Sequence, residues 1–456
     1  MKLNIEEIVS AVGGECIHEG AFKAPIEAIT TDSRSEVKQG LFIPLKGERF
    51  DGHGFIEGVY DKGAIATLTM EEQVRDQRLW TIKVADTKQA LLDLGCYYRK
   101  RFQLPVVGIT GSVGKTSTKE MIAAVLGGKW LVHKTEGNFN NEIGLPLTLF
   151  KLERAHEAAV IEMGMNHFEE IHRLSLTALP QVAVITNVGT SHIENLGSRE
   201  GILKAKLEIL DGLSSDGIVV LNGDNDLLSQ VGKLPFKQVT YGLNPNNDYY
   251  AEEIESEGEY TRALVTTPQY QCRIRIKALG EHMVYNTLAA IAVAQHLGLN
   301  EEEIQKGLES YAPAKMRMHI EMYENHITVI DDTYNASPDS MEAALKVLKD
   351  YQTKGRKIAV LGDMFEMGEF APELHKGVGQ FAAEIGIDKV YAVGTLAQHI
   401  FAGATEKGMA SVVYYPTKEA FVMAMQEELE AGDTVLFKAS RGMHFEEMLD
   451  AVRKVK

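Results

Sequence analysis

The chain has 456 residues, 45% of them apolar and 24% charged, and its 47 basic against 64 acidic side chains give a formal net charge of −17. That length calls for several domains, and the acid excess excludes a general nucleic-acid binder or an anionic-membrane binder while leaving room for one local phosphate pocket. The lone cysteines Cys16, Cys96 and Cys272 have no paired spacing, the start MKLNIEE lacks an apolar core, and no run approaches the roughly 20 apolar residues of a membrane span, so a cytoplasmic protein with no membrane insertion and no disulfide framework is expected.

Residues 1–84 read as a small α/β module, with a helix at 5–12 and strands at 26–30, 41–44, 64–69 and 81–84. Two of its loops are polar: Thr31-Asp32-Ser33-Arg34, and the run from Lys46 through Glu48, Arg49 and Asp51 to His53. Ser33 and Arg34 have the chemistry to hold phosphate oxygens, Arg by two parallel hydrogen bonds. Ordinary solvated turns account for them as well.

Residues 85–313 carry the most informative stretch. A helix is expected at 86–101 and an apolar strand at 105–109. Gly108-Ile109-Thr110-Gly111-Ser112-Val113-Gly114-Lys115-Thr116-Ser117 follows, and then a helical pattern to Leu126. A strand, a glycine loop and a helix form a phosphate cradle, because the glycines let backbone N–H groups converge on an anion at a helix N-terminus. Lys115 is placed to reach the β- and γ-phosphates and the Thr116 hydroxyl to hold Mg²⁺. The loop is the short Gly-x-x-Gly-Lys-Thr form, since Ile109 stands where the longer pattern has its first glycine.

Further strands are predicted at 158–163, 182–186 and 218–221, alternating with helices, which indicates a mostly parallel sheet. Ligands bind beyond the carboxyl ends of such strands. Glu162 stands at one of those ends and His192 just past another. A carboxylate there can serve Mg²⁺; a solvated acid and a hydrogen-bonded loop histidine are the plain alternatives. Thr135 to Pro146, with Asn138, Asn140 and Asn141, is a polar loop fit either to touch substrate or to make turns. Lys206 lies on a helical pattern, where a lysine is ordinarily solvated. His282 and Asn286 share one face of another helix, for a nucleotide or for capping.

Residues 314–456 open on a polar linker containing Lys315 and Arg317, then read as a second doubly wound α/β domain with strands at 328–332, 357–361, 389–393, 411–415 and 434–437. Three polar motifs close its strands: Asp331-Asp332-Thr333-Tyr334-Asn335-Ala336-Ser337-Pro338, Leu361-Gly362-Asp363-Met364-Phe365-Glu366-Met367-Gly368-Glu369, and Lys438-Ala439-Ser440-Arg441-Gly442. No second phosphate loop occurs, so this domain is expected to close over the first site.

Together these stretches resemble the ATP-dependent Mur ligases of peptidoglycan precursor synthesis, and the likeness runs through essentially the whole chain. Gly111 to Thr116, Glu162 and the segment from Asn187 to His192 match motifs shared across that superfamily; the asparagine loop and the three C-terminal motifs match one branch of it. Two positions depart: Ser337 stands for an asparagine and Met367 for a leucine.

The resemblance implies three domains: a UDP-sugar-binding α/β domain at 1–84, a central ATP-binding P-loop domain with a mostly parallel sheet at 85–313, and a Rossmann-like domain at 314–456. It implies an ATP-dependent amide ligase, expected as a monomer, that joins D-alanyl-D-alanine to UDP-N-acetylmuramoyl-tripeptide through an acyl phosphate. It implies Lys115, Glu162, His192 and Lys206 as catalytic residues, and Thr116, Glu162, His192 and a carbamylated Lys206 as the holders of two Mg²⁺ ions. ATP would be met by Gly111, Ser112, Gly114, Lys115, Thr116, Ser117, Asn286, Arg317, Asp332, Tyr334 and Asn335. Ser33, Arg34, Asn138, Asn140 and Asn141 would meet the other substrates. A folylpolyglutamate synthase, a ligase adding the third peptide residue and a non-catalytic nucleotide-binding regulator are the competing readings; activity with folate or a free diamino acid, or absent ATP turnover, would select them.

Overall fold

The computed structural model describes residues 1–47, 50–313 and 316–455. Glu48 and Arg49 of the Lys46–His53 loop and Lys315 of the expected linker lie outside them.

Three mixed α/β sheets carry the chain. The first has five strands in the order Glu15–His18, Trp80–Lys83, Ala64–Thr69, Gly40–Phe42 and Ala28–Thr30. The last four run parallel and the first is antiparallel to its neighbour. The opening helix Ile5–Val12 begins where Asn4 and Glu7 cap each other's backbone N–H, a reciprocal arrangement that satisfies two orphan donors.

The second sheet has nine strands, ordered Gln271–Ile276, Tyr260–Thr266, Tyr249–Glu257, Lys237–Gly242, Ile218–Asn222, Val182–Ile185, Val106–Thr110, Ala158–Glu162 and Val132–Lys134. Val106–Thr110 and Ala158–Glu162 are parallel and buried at every residue, as continuous apolar runs in parallel sheets are. The strands from Tyr249 to Ile276 form an antiparallel meander, where the sequence showed only turns and strand-like runs. Helix Thr87–Arg99 starts at Asp86, whose carboxylate accepts the N–H groups of Lys88 and Gln89.

The third sheet orders His319–Met322, Thr328–Asp331, Thr434–Lys438, Lys357–Gly362, Lys389–Val393 and Val412–Tyr415. All are parallel except the added first strand. Its two faces bury separate apolar clusters, one around Leu345, Leu361 and Ile400 and the other around Phe421, Phe437 and Phe445. This is the doubly wound arrangement expected from the sequence. Packing divides the chain into two compact units: Met1–Thr110 with Trp130–Val184 and Leu207–Val219, and Gly111–Lys129 with Ile185–Lys206 and Val220–Lys456.

Candidate active site

The phosphate loop follows strand Val106–Thr110 and ends in helix Lys115–Leu126. Gly114 caps that helix at φ 82°, in the left-handed region that glycine tolerates. Gly111 is required by a close approach, since a Cβ there would lie 1.8 Å from Thr186 Oγ1.

The segment from Thr186 to Ser191 braces the loop along its length. Val113 N–H donates to Asn187 Oδ1 at 2.9 Å, and Thr186 Oγ1 donates to the Val113 carbonyl at 2.6 Å. Gly189 N–H donates to Ser112 Oγ at 2.9 Å. A further layer holds the brace: Asn222 Nδ2 donates to the Thr186 carbonyl at 3.0 Å, and Arg199 Nη2 to the Val188 carbonyl at 2.8 Å. Arg199 is itself fixed by two contacts to Asp226 at 2.7 and 2.5 Å. Such cross-bracing positions a phosphate cradle in advance of its ligand.

Lys115 Nζ donates to the Gly111 carbonyl at 2.7 Å and to the Ser112 carbonyl at 3.4 Å, curling over the loop it serves. Thr116 Oγ1 accepts from Arg317 Nη2 at 3.3 Å, and the Arg317 guanidinium lies 4.0 Å over the Tyr334 ring. Arg317 Nε is buried with no hydrogen-bond partner among the described residues, a donor suited to an anion. Ser117 is half-buried in the first helical turn. Asn286 Oδ1 accepts from Thr118 Oγ1 at 2.9 Å, so the structure joins Asn286 to the helix that follows the loop.

Lys206 lies on helix Arg199–Leu207 and is 1% exposed. Burial first, and the Lys115 charge second, hold its ammonium well below the usual lysine range. A lysine that looks solvated in the sequence is thus fully buried, where its charged form is disfavoured. His192 begins the short helix Ile193–Leu196 with φ 64°, and its Nδ1 lies 2.6 Å from Glu366 Oε2. Pairing with His192 keeps the Glu366 carboxyl below the usual range despite burial, and Lys115 adds to the effect.

Glu162 ends its strand opposite Ile109, the penultimate residue of the strand that opens into the loop. It is 2% exposed, and its Oε1 accepts from Asn140 Nδ2 at 2.9 Å. The asparagine loop therefore does two jobs. Asn140 reaches Glu162, while Asn141 Oδ1 takes the N–H groups of Ile143 and Gly144 at 3.1 and 2.8 Å, starting helix Gly144–Leu149. Glu142 anchors the loop between Lys88 and Arg173, and Asn138 is exposed.

In the C-terminal sheet Asp332 pairs with Lys438, which is 2% exposed. Lys438 also donates to the Asn335 carbonyl at 2.9 Å, and the Asn335 side chain is exposed. Burial lowers the Lys438 and His282 pKa values, with Asp332 opposing both. At the N-terminal module Arg34 is 88% exposed and meets both oxygens of Asp32 at 2.9 Å. That pairing lowers the Asp32 pKa to about 2. Ser33 is half-buried beside it. Glu366, Arg199 and Asn222 carry no signal for the site in the sequence beyond the motif that contains Glu366.

A strand, a braced Gly-x-x-Gly-Lys-Thr loop and a helix define a P-loop nucleotide-binding protein. The chain belongs to the Mur ligase family: residues 109–294 match the Mur ligase middle domain and residues 316–441 the glutamate ligase domain of Mur ligases. Its relatives include UDP-N-acetylmuramoyl-tripeptide–D-alanyl-D-alanine ligases of Bacillus subtilis, 40% identical over 98% of both chains, and of Escherichia coli, 34% identical over 100% of this chain and 99% of that one. Among solved structures, MurF from Acinetobacter baumannii is 32% identical with a TM-score of 0.93, covering 100% of this chain and 99% of its own. MurF from Thermotoga maritima in complex with ADP is 28% identical with a TM-score of 0.85, covering 94% of this chain and 97% of its own.

Proposed function

We propose that this chain is the ATP-dependent ligase that joins D-alanyl-D-alanine to UDP-N-acetylmuramoyl-tripeptide, giving the pentapeptide precursor of peptidoglycan. The observation that carries the reading is the braced phosphate loop, in a chain 33–40% identical over nearly its whole length to proteins named for that activity. Amide formation in water needs an activated carboxylate. The terminal carboxylate of the tripeptide attacks the γ-phosphorus of ATP, ADP leaves, and an acyl phosphate forms. The dipeptide amine then adds to the acyl carbon, loses its proton, and inorganic phosphate departs.

In this reading Lys115 and the N–H groups from Gly111 to Ser117 offset the charge on the transferring phosphoryl group. Arg317, Asn286 and the 332–335 turn adjoin the nucleotide, and burial of the reacting groups protects the acyl phosphate from water. Residues 1–84 hold the UDP end through Ser33 and Arg34, residues 85–313 the nucleotide, and residues 314–456 close the site. Asn138, Asn140 and Asn141 face the peptide substrates. The enzyme works as a cytoplasmic monomer.

Among the described residues no three His, Cys, Asp or Glu side chains gather as a ready metal cage. That donor set fits Mg²⁺ delivered on nucleotide phosphates, which keeps its waters and takes few protein ligands. Thr116, Glu162, His192 and Lys206 are the residues that would hold it, and when bound it supplies charge neutralisation for phosphoryl transfer. Carbamylation by CO₂ proceeds on the neutral amine, the form that burial of Lys206 favours; the resulting carbamate is an oxygen donor. Phosphate release from ATP should require both UDP-N-acetylmuramoyl-tripeptide and D-alanyl-D-alanine, with the pentapeptide product found by mass. No release with either the lysine or the diaminopimelate tripeptide would overturn the reading.

A further inference from the structure

Arg317 sits in a strained bracket. The residues on either side of it, Met316 and Met318, both hold left-handed backbone, at φ 60° and 48°. Side chains other than glycine's occupy that region at a cost, and they do so where the surroundings enforce it. Three contacts hold the bracket, and all three come from the turn at 332–335. The Tyr334 N–H donates to the Met316 carbonyl at 3.3 Å, and the Met318 N–H donates to Asp332 Oδ1 at 3.2 Å. Between them the Arg317 guanidinium lies 4.0 Å over the Tyr334 ring.

The turn is pinned in its own right. Its first N–H, that of Asp332, donates to the Phe437 carbonyl at 3.0 Å. The next residue, Lys438, ends strand Thr434–Lys438 and is buried. Its ammonium donates to Asp332 Oδ2 and to the Asn335 carbonyl, the second at 2.9 Å. One buried cation therefore closes both ends of the turn that anchors Arg317. Asp332 spends one oxygen on that cation and the other on the Met318 N–H, so the two grips share a single carboxylate. A buried charge is costly unless it is paired and hydrogen-bonded, and this one is paired where the turn most needs a fixed shape.

We propose that Lys438 is a positioning residue for Arg317: it clamps the turn at Asp332 and Asn335, and the turn aims the guanidinium at Thr116 of the phosphate loop. The kinetic consequence rests on the ligase reading above; the placement of Arg317 does not.

The test is ¹H–¹⁵N NMR of the free full-length chain labelled at arginine, with the Arg317 Nε–H assigned by its loss in Arg317→Lys. The ring current of Tyr334 should shift that proton upfield in the wild-type chain, and Lys438→Met should return it toward the position of exposed arginines. Where the single change leaves the chain unfolded, Lys438→Met with Asp332→Asn removes both buried charges and keeps an oxygen for the Met318 N–H; the same loss of shift is expected there. In the ligase assay Lys438→Met should lower kcat/KM for ATP roughly 100-fold, the cost of misplacing a group by about 1 Å, and leave KM for the tripeptide substrate unchanged. In an Arg317→Ala background the same change should cost only about threefold, because residues that act as one unit do not add. An Arg317 signal that keeps its shift in both Lys438 variants would overturn the proposal, as would an undiminished kinetic loss in the Arg317→Ala background. A wild-type chain that made no pentapeptide would remove the ligase reading and leave the NMR result to decide the placement.

Discussion

Two strand–loop–helix junctions in this chain share an architecture and have opposite electrostatics. The first runs from Val106–Thr110 into helix Lys115–Leu126; the second runs from Thr328–Asp331 into helix Pro338–Asp350. At the first, Gly114 caps the helix with no side-chain hydrogen bond, and no acid stands in the first turn. The positive end of the helix dipole there favours an anion. At the second, Ser337 N–H donates to Ser340 Oγ at 2.9 Å, Pro338 removes a donor, and Asp339 adds a negative charge. That helix start satisfies itself and repels phosphate. A handful of residues decides whether the same topology binds a nucleotide or turns its carboxylate outward to grip another loop.

The largest test of the contrast is Lys115→Ala. Lys115 is the charge that the first junction has and the second lacks, so the change should cut kcat by roughly 10²–10³-fold. Steady-state phosphate release measures it; a loss below tenfold would mean that the backbone cradle alone carries the transfer. Next comes Lys206→Met, which should abolish most turnover and raise Tm at neutral pH. Burial holds the folded-state Lys206 pKa well below the usual lysine value. Between the two pKa values the unfolded chain binds the extra proton, so the site's contribution to stability rises with pH through that window and is least favourable below it. Methionine removes that penalty, so the gain in Tm should shrink as the pH approaches about 10. Thermal melts at two pH values check it, and ¹³C NMR with labelled bicarbonate checks for a carbamate that the variant cannot form.

The first junction was legible because its signal is local: glycines, lysine and threonine in fixed order between an apolar run and a helical pattern. The alternation of strands and helices gave the doubly wound C-terminal sheet for the same reason. What escaped reading depends on packing between distant segments. Lys206 has the spacing of a solvated helix lysine, and only the fold buries it. Glu366 stood in a conspicuous motif, yet nothing in its neighbours names His192 as its partner. Asparagines at 140 and 141 look alike in sequence, but one reaches Glu162 and the other starts a helix. Residues 223–280 read as strand- and turn-rich, but the exposed faces of the strands from Tyr249 to Ile276 break the apolar pattern that would have fixed their order.

Gly189→Ala sharpens the comparison from the side of the second junction. The added methyl would displace the Asp339 carboxylate, which is the end of a flexible side chain and can swing away. The fold should survive, with Tm nearly unchanged, while the Asp339 carboxylate leaves the Gly189 turn and kcat falls about tenfold, the lower end of what misplacing a supporting group costs. An unchanged kcat would mean that the turn holds itself.

The smallest effect is expected at Arg34, far from either junction in sequence. There the guanidinium is exposed and already satisfied by Asp32, on both oxygens at 2.9 Å. A phosphate must compete with that pair, so the net gain from binding is a fraction of a buried charge-assisted contact. Arg34→Ala should raise KM for UDP-N-acetylmuramoyl-tripeptide by about threefold and leave Tm unchanged, because exposed ion pairs contribute about 0–1 kcal/mol. KM for ATP should not move. A rise in the ATP KM instead would place the Thr31–Arg34 turn at the nucleotide rather than at the UDP end. No change in either would leave Arg34 as a solvated partner of Asp32, and the phosphate-binding role at this end would pass to Ser33 and the backbone of the same turn.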